Sequence, residues 1–202
     1  LKAVLKHINK LKITNIYCLG DYLNYYYDPD KCIDLLIKNK VNCIKGNHEE
    51  IFFQTLKGFN IPVYKKKYGN SVELNLKKLK KHHINFLKSL KKSRRIKINK
   101  LDLLLSHGTP WDIDCYAYPN MDDSLKDRMS KYKADYIFLG HTHIPMNIKI
   151  NKKTTVLNPG SVGQPRNRCN NACWLLFNTK DHKTDFMQTK YDKKKLIEGI
   201  NI

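Results

Sequence analysis

Four short apolar runs in this chain each end at a cluster of polar residues flanked by glycine. The four clusters are Gly20-Asp21, Gly46-Asn47-His48-Glu49, Ser106-His107-Gly108 and Gly140-His141-Thr142-His143. Open α/β sheets build their binding sites from ligands that collect beyond the carboxyl ends of their strands. We therefore expect an α/β fold in which these four strand ends meet at one site.

The side chains in the clusters are nitrogen and oxygen donors suited to divalent metal ions. An aspartate can bridge two cations about 3.5–4 Å apart, and two such cations can act on one phosphorus atom. An asparagine completes a site without adding negative charge, and neutral imidazoles suit Mn, Fe, Zn, Ni or Co. The candidate ligands are Asp21, Asn47, His107, His141 and His143. Read singly, each of these residues is also typical of a turn or a helix cap.

Two further residues are candidates for contact with a substrate. His48 follows Asn47 directly and cannot easily bind the same ion, so it is free to donate a proton to a leaving oxygen. Arg166 ends a glycine-punctuated loop over residues 158–166 and can reach a phosphate oxygen. His141 and His143 are two residues apart, which in extended backbone would aim both rings the same way.

Composition limits the classes of protein to consider. The chain has 202 residues, 41% of them hydrophobic, which suits one soluble domain with a sizeable core. No run approaches the roughly 18 apolar residues of a membrane span, and we do not expect a secreted protein, because the first residues lack the basic-then-apolar pattern of a leader. We expect a cytoplasmic protein whose six cysteines are reduced.

The net charge of +20 allows two interpretations. It is typical of proteins that bind nucleic acid. However, the cations are 33 Lys against 5 Arg, and they accompany 20 Asn and 19 Ile, the residues of A/T-rich codons. The lysines are spread along the chain, and arginine, the better bidentate phosphate ligand, is scarce. Codon bias is the favoured explanation, and attraction to polyanions is the alternative.

Hydrophobic periodicity predicts a chain of helices and short strands. Helices are expected at 1–9, 28–39, 49–56, 76–90 and 122–131, and strands at 16–19, 41–44, 96–98, 101–105, 136–139, 146–150, 154–157, 172–177 and 184–189. Residues 60–76 are predicted to be irregular or hairpin-like. His82 and His83 are expected on the solvated face of a basic helix.

In their order and spacing, the four clusters and a later Asn158-Pro159-Gly160-Ser161 resemble the calcineurin-like metallophosphoesterase superfamily, in particular its small bacterial and archaeal phosphodiesterases. The similarity runs from Leu1 to about Phe177. It implies a four-layer α/β/β/α sandwich of two mixed sheets. It also implies two divalent metal ions, of which manganese is favoured over Ni, Fe, Zn or Co.

The resemblance assigns a role to each candidate residue. Asp21 would bridge the two metals, a hydroxide between them would be the nucleophile, and His48 would assist the leaving group. Asn47, His107 and His141 would complete one metal site, and His143 would belong to the other. Arg166 and Asn47 would contact the substrate.

The chain departs from the family pattern at its beginning. The family opens with a strand ending in Asp-x-His, whereas this chain begins at the following helix. We expect residues 1–202 to form a single metallophosphoesterase domain, N-terminally truncated relative to the family, whose activity as a fragment is weak or absent. The alternative is a member that has shed its first strand.

Two other positions bear on the substrate. Asn24 stands where the protein Ser/Thr phosphatases of the superfamily carry an aspartate, which argues against a protein substrate. Tyr25, Tyr26 and Tyr27 can form an aromatic wall for a base or simply pack within their loop.

The leading interpretation is a metal-dependent phosphodiesterase for a small phosphate diester, nucleotides included, with no membrane association. One alternative is a non-catalytic interaction module such as the retromer subunit of this fold, which lacks the histidine that matches His48. Another is a phosphoesterase directed at nucleic acid, as the charge suggests.

Overall fold

The computed structural model describes residues 1–200, which form a mixed α/β fold, as predicted. Its elements in chain order are α1 (Lys2–Lys10), β1 (Tyr17–Cys18), α2 (Pro29–Lys38), β2 (Asn42–Cys43), α3 (Asn47–Leu56), α4 (Ile61–Tyr68), α5 (Ser71–Lys78), α6 (Lys81–Ser89), β3 (Ser93–Ile98), β4 (Leu101–Ser106), α7 (Asp123–Ser130), β5 (Tyr136–Phe138), β6 (Met146–Lys149), β7 (Thr155–Asn158), β8 (Ala172–Phe177), β9 (Thr184–Thr189) and α8 (Lys194–Ile200). Within this described part, no helix has the length and apolar character that crossing a membrane requires.

The largest sheet is five-stranded and mixed, with strand order β3-β4-β5-β7-β6. Its central strands β4, β5 and β7 are parallel and place Leu104, Ile137 and Val156 in register. The outer strands β3 and β6 are antiparallel to their neighbours. In the described residues the other strands form two separate pairs, the parallel β1–β2 and the antiparallel β8–β9, in place of a second continuous sheet.

Three apolar clusters hold these layers together. The first joins α2, α3 and α6 to the loop after β1 and includes Leu23, Ile33 and Leu87. The second packs α7 against the five-stranded sheet and includes Met129. The third packs α1 on β8 through apolar residues such as Trp174. The first two clusters support strands that lead into the polar motifs.

The prediction for residues 60–76 is wrong, because this segment forms α4 and most of α5. The long basic helix predicted for residues 76–90 is also interrupted. Leu79 has extended backbone (φ −77°, ψ 122°) and its side chain joins the first apolar cluster, so α5 ends before it and α6 begins after it. Burying Leu79 outweighs the helical propensity of the surrounding lysines.

The expectation that His83 is solvated is wrong as well. Its side chain is buried, its Nδ1 accepts a hydrogen bond from the Lys80 N–H (3.0 Å), and its Nε2 lies 3.0 Å from the Asp34 carboxylate. It therefore caps α6 and ties it to α2. His82 is exposed, as predicted.

Candidate metal centre

Two loops meet at the centre without room for side chains between them. Gly20 has φ +102°, and a Cβ built on it would lie 2.5 Å from the backbone nitrogen of Gly46. A Cβ on Gly46 would lie 2.3 Å from the Asp21 Oδ1. These glycines therefore allow the loop after β1 to touch the start of α3.

Gly46→Ala is expected to lower the free energy of unfolding by about 1–3 kcal/mol, the usual cost of overpacking. The new methyl group must displace Asp21, so weaker binding of Mn²⁺ should accompany the loss. Urea denaturation and calorimetric Mn²⁺ titration measure the two effects. Gly163→Ala is the matched control, because a Cβ there meets only Tyr26 at an ordinary 3.9 Å. Equal behaviour of the two variants would contradict the prediction.

The Glu49 side chain holds the loop after β1 against the start of α3. Its buried carboxylate accepts hydrogen bonds from the N–H groups of Asp21 (2.9 Å), Tyr22 (2.8 Å) and Gly46 (2.8 Å). Burial and the nearby Asp21 charge raise the pKa of Glu49 to about 7, against the lowering effect of these three donors. Sequence reasoning assigned no role to Glu49, although its place three residues after Gly46 is a capping-box signal.

Asp21 lies at the middle of the site in left-handed backbone, with φ 62°. Its Oδ1 accepts a hydrogen bond from the His48 N–H (3.2 Å), and its Oδ2 lies 3.2 Å from the His107 Nε2. Burial acts to raise the pKa of this carboxyl, but His107 and His48 lower it to about 2. The group is therefore a carboxylate at neutral pH.

His107 has one ring nitrogen fixed by the backbone and the other facing acceptors. Its Nδ1–H donates to the Leu19 carbonyl at 2.6 Å. Its Nε2 then faces Asp21 and also the Asn47 Oδ1 at 3.1 Å. Burial acts to lower the pKa of His107, and the Asp21 carboxylate raises it above the ordinary value. The Nε2 of His107, the Oδ1 of Asn47 and the Oδ2 of Asp21 thus converge with their lone pairs directed at one another. Only a proton or a cation between them removes the repulsion.

His141 extends this group of donors. Its Nε2–H donates to the Asp114 carbonyl at 3.1 Å, which leaves Nδ1 as the free nitrogen. One ligand atom from each of Asp21, His107 and His141 lies within 4.8 Å of the others. Burial lowers the pKa of His141, so its ring is neutral at pH 7 and able to bind a metal.

His143 lies at the edge of the group. Its Nδ1–H donates to the Gln164 carbonyl (2.9 Å), leaving Nε2 free, and burial lowers the pKa of the ring to about 4. It interacts electrostatically with Asp21 but is not part of the three-residue cluster. The extended backbone expected for both histidines of this motif is wrong, because His141 and His143 each have φ 61°. Left-handed non-glycine residues of this kind are strained and concentrate at functional sites.

His48 is buried beside the cluster. Its Nε2 is 4.0 Å from the Asp21 Oδ2, and its Nδ1 has no hydrogen-bond partner within the described residues. The rings of Tyr25 and Tyr68 lie 4.6 and 4.8 Å from its own, measured between centroids. Burial lowers the pKa of His48 to about 4.

The donor set fits a divalent cation. Each of the three histidines His107, His141 and His143 gives one N–H to a backbone carbonyl, which fixes the tautomer and leaves the other nitrogen as a lone pair. Metal-binding histidines are oriented in this way. The carboxylate of Asp21 and the amide oxygen of Asn47 add the oxygen donors that Mn²⁺ accepts.

Comparison with known proteins supports the family that the sequence motifs indicated. The calcineurin-like phosphoesterase superfamily domain matches residues 1–182. The chain belongs to this superfamily. The resemblance inferred from the sequence motifs is thereby confirmed.

Similar proteins and solved structures align with almost the whole of this chain. The uncharacterized protein MJ0912 of Methanocaldococcus jannaschii is 33% identical over 224 residues, covering 99% of this chain and 86% of the relative. The hypothetical protein PH1004 of Pyrococcus horikoshii OT3 has a TM-score of 0.84 at 22% identity, covering 99% and 86%. A metallophosphoesterase from Sphaerobacter thermophilus has a TM-score of 0.78 at 20% identity, covering 98% and 88%. These structures share the fold.

The loop after β1 places Asn24 and Tyr25 in different surroundings. The buried Asn24 accepts a hydrogen bond from the Asn75 side chain of α5. Tyr25 is the member of the tyrosine run that reaches the site, where its ring contacts His48 and His143. Arg166 is exposed next to it, with Nη2 3.4 Å from the Tyr25 hydroxyl.

Proposed function

We propose that this protein is a metal-dependent phosphodiesterase that hydrolyses a small phosphate diester. The observation that carries the proposal is the convergence of the His107 Nε2 with the oxygens of Asp21 and Asn47. In the neutral tautomer that the Leu19 carbonyl selects, these three atoms repel one another. A cation turns this repulsion into attraction, and membership of a phosphoesterase superfamily supports hydrolysis as the use of that cation.

The proposed ligands divide between two divalent ions, with manganese favoured. Asp21, Asn47, His107 and His141 hold one ion, and Asp21 together with His143 contributes to the second. When bound, such ions supply Lewis-acid stabilisation of the phosphate and an activated water. The backbone carbonyls of Leu19, Asp114 and Gln164 keep the three histidines oriented, because each accepts the N–H of one ring.

His48 and Arg166 are the proposed substrate contacts from the chain itself. A pKa of about 4 makes His48 neutral at pH 7, so it offers one N–H to the leaving oxygen without repelling a cation nearby. Its two flanking tyrosine rings exclude water and hold its orientation. Arg166 is exposed beside His143 and supplies a guanidinium for a phosphate oxygen. The side-chain amide of Asn47 is a second proposed contact to the substrate.

His48→Gln tests this function. We expect kcat for bis(4-nitrophenyl) phosphate with Mn²⁺ to fall by about 100-fold or more, the usual contribution of a positioned proton donor. Affinity for Mn²⁺ should remain, because His48 is not a proposed ligand. Steady-state kinetics and calorimetry measure the two quantities.

His82→Gln is the matched control, since His82 is an exposed histidine on α6 that contacts Asp34 and His83. An unchanged kcat in the His48 variant would remove its catalytic role. Absence of Mn²⁺-dependent hydrolysis in the unmodified protein would overturn the proposed function and favour the non-catalytic interaction module.

A further inference from the structure

Two tyrosines form an exposed platform next to the candidate metal centre. The Tyr116 ring lies against His141, with centroids 3.9 Å apart. The Tyr118 ring is nearly parallel to that of Tyr116, at 5.6 Å and 10°. The two tyrosines remain 44% and 40% exposed, whereas His141 beneath them is 6% exposed. A large apolar surface is thus presented to solvent at the mouth of the site.

The loop that carries this platform is held in place from both sides. The carbonyl of Asp114 accepts the His141 N–H, so the loop is attached to a proposed metal ligand. Ala117, between the two tyrosines, is buried in the second apolar cluster. The Met121 N–H donates to the Tyr118 carbonyl at 3.0 Å and closes a turn after the platform. The rings are therefore preorganised, which lowers the entropy cost of binding a partner.

The rest of the rim is aromatic and cationic. The rings of Tyr25 and Tyr68 both contact His48, and Tyr25 interacts electrostatically with both Tyr68 and Tyr116. Lys67 lies near Tyr68 and Tyr116, since both tyrosines affect its pKa. Two acidic side chains lie near this rim, the Asp21 carboxylate at the centre of the site and the exposed Asp114, which interacts electrostatically with Lys67 and His141. The surroundings suit a ligand that joins an anionic phosphate to a flat aromatic group.

We propose that Tyr116 and Tyr118 bind the base of a nucleoside phosphodiester, so that the site selects nucleotide-type diesters over alkyl diesters. This inference rests on the proposed phosphodiesterase function. Aromatic side chains stack on any base and do so without hydrogen-bond readout of its identity. Because the Tyr116 ring contacts His141, a base stacked on the two tyrosines would be separated from a phosphate at the metal centre only by the His141 ring.

Two diesters with the same leaving group test the proposal. Thymidine 5′-(4-nitrophenyl) phosphate and methyl 4-nitrophenyl phosphate both release 4-nitrophenolate, so their ratio of kcat/KM reports recognition of the nucleoside. With Mn²⁺ we expect the ratio to favour the nucleoside by about tenfold or more, as stacking of one base allows. In the double variant Tyr116→Leu with Tyr118→Leu, the ratio should fall towards one.

Two further variants separate stacking from other effects. The pair Tyr116→Phe with Tyr118→Phe keeps the rings and should keep the preference. Tyr118→Leu alone leaves the Tyr116 ring in place against His141 and should lower the ratio in part. This single variant shows whether the effect of the double variant is due to misfolding or loss of metal. A ratio that is near one in the unmodified protein, or that survives loss of both rings, overturns the proposal.

Equilibrium binding distinguishes failure of this inference from failure of the proposed function. Thymidine 5′-monophosphate should bind the Mn²⁺-loaded protein more tightly than methyl phosphate by calorimetry, and the Leu pair should lose that difference. If neither diester is hydrolysed but this pattern holds, the phosphodiesterase is wrong and the tyrosine site stands. If both diesters are hydrolysed equally and both phosphates bind equally, the tyrosine site is wrong and the phosphodiesterase stands.

Discussion

Asp21→Asn is expected to weaken Mn²⁺ binding by more than about 100-fold and to abolish hydrolysis of phosphate diesters. Changes to groups behind a metal ligand already cost 10–100-fold in affinity, and loss of a ligand costs more. Asp21 is also the one carboxylate in the cluster with His107 and His141 within the described residues. Without its charge, the neutral nitrogens and the Asn47 amide attract a divalent cation weakly.

Calorimetric titration and thermal melting with and without Mn²⁺ measure this effect. A ligand at 100 times its Kd stabilises a protein by about 2.7 kcal/mol, so the rise in Tm with Mn²⁺ should disappear in the variant. Asp123→Asn is the matched control, because Asp123 is an exposed carboxylate on α7 that pairs with Lys126 and contacts none of the proposed ligands. Retention of Mn²⁺ affinity by the Asp21 variant would remove it from the proposed ligands.

Glu49→Gln is expected to lower the free energy of unfolding by about 2–4 kcal/mol and to weaken Mn²⁺ binding. An amide has one acceptor oxygen, so at least one of the three backbone N–H donors must lose its partner and face an NH₂ group in a buried place. The donors belong to Asp21, Tyr22 and Gly46, which means that the loop bearing a proposed ligand is released.

Glu50→Gln is the matched control for this change. Glu50 is the next residue, but its carboxylate is partly exposed and pairs with Lys45 (3.3 Å) and Lys92 (3.7 Å). Pairs of this kind contribute about 0–1 kcal/mol. Urea denaturation of the two variants should therefore separate them clearly. Similar losses in both would show that the three N–H bonds of Glu49 carry no special stability.

The sequence predicted well those parts of the fold that depend on local pattern. The apolar run Leu103-Leu104-Leu105 lies in β4, one of the three central strands, because a strand covered on both faces contains consecutive apolar residues. Val4, Leu5 and Ile8 lie on one face of α1, as their spacing requires. The four glycine-flanked motifs identified the family, and the family indicated the fold.

The segments predicted wrongly have two different causes. Residues 61–68 bury no side chain and form α4 with Pro62 in the first turn, which is a local helix-start signal that the sequence reading missed. His83 follows a lysine run that is typical of a solvated face, but Asp34 of α2 pairs with it and helix packing covers it. This partner, 49 residues away along the chain, is not visible from local periodicity.

By itself, the sequence determined which chemical groups the site contains and at which strand ends they lie, because glycines and strand periodicity act over a few residues. Tertiary structure alone decided how those groups are oriented. The left-handed backbone of Asp21 and His141, and the hydrogen bonds from the Asp21 and Tyr22 N–H groups to Glu49, depend on loops brought together from distant parts of the chain. The platform of Tyr116 and Tyr118 beside His141 arises in the same way. Such contacts form only when packing of the core supplies the free energy to hold strained backbone and exposed rings in place.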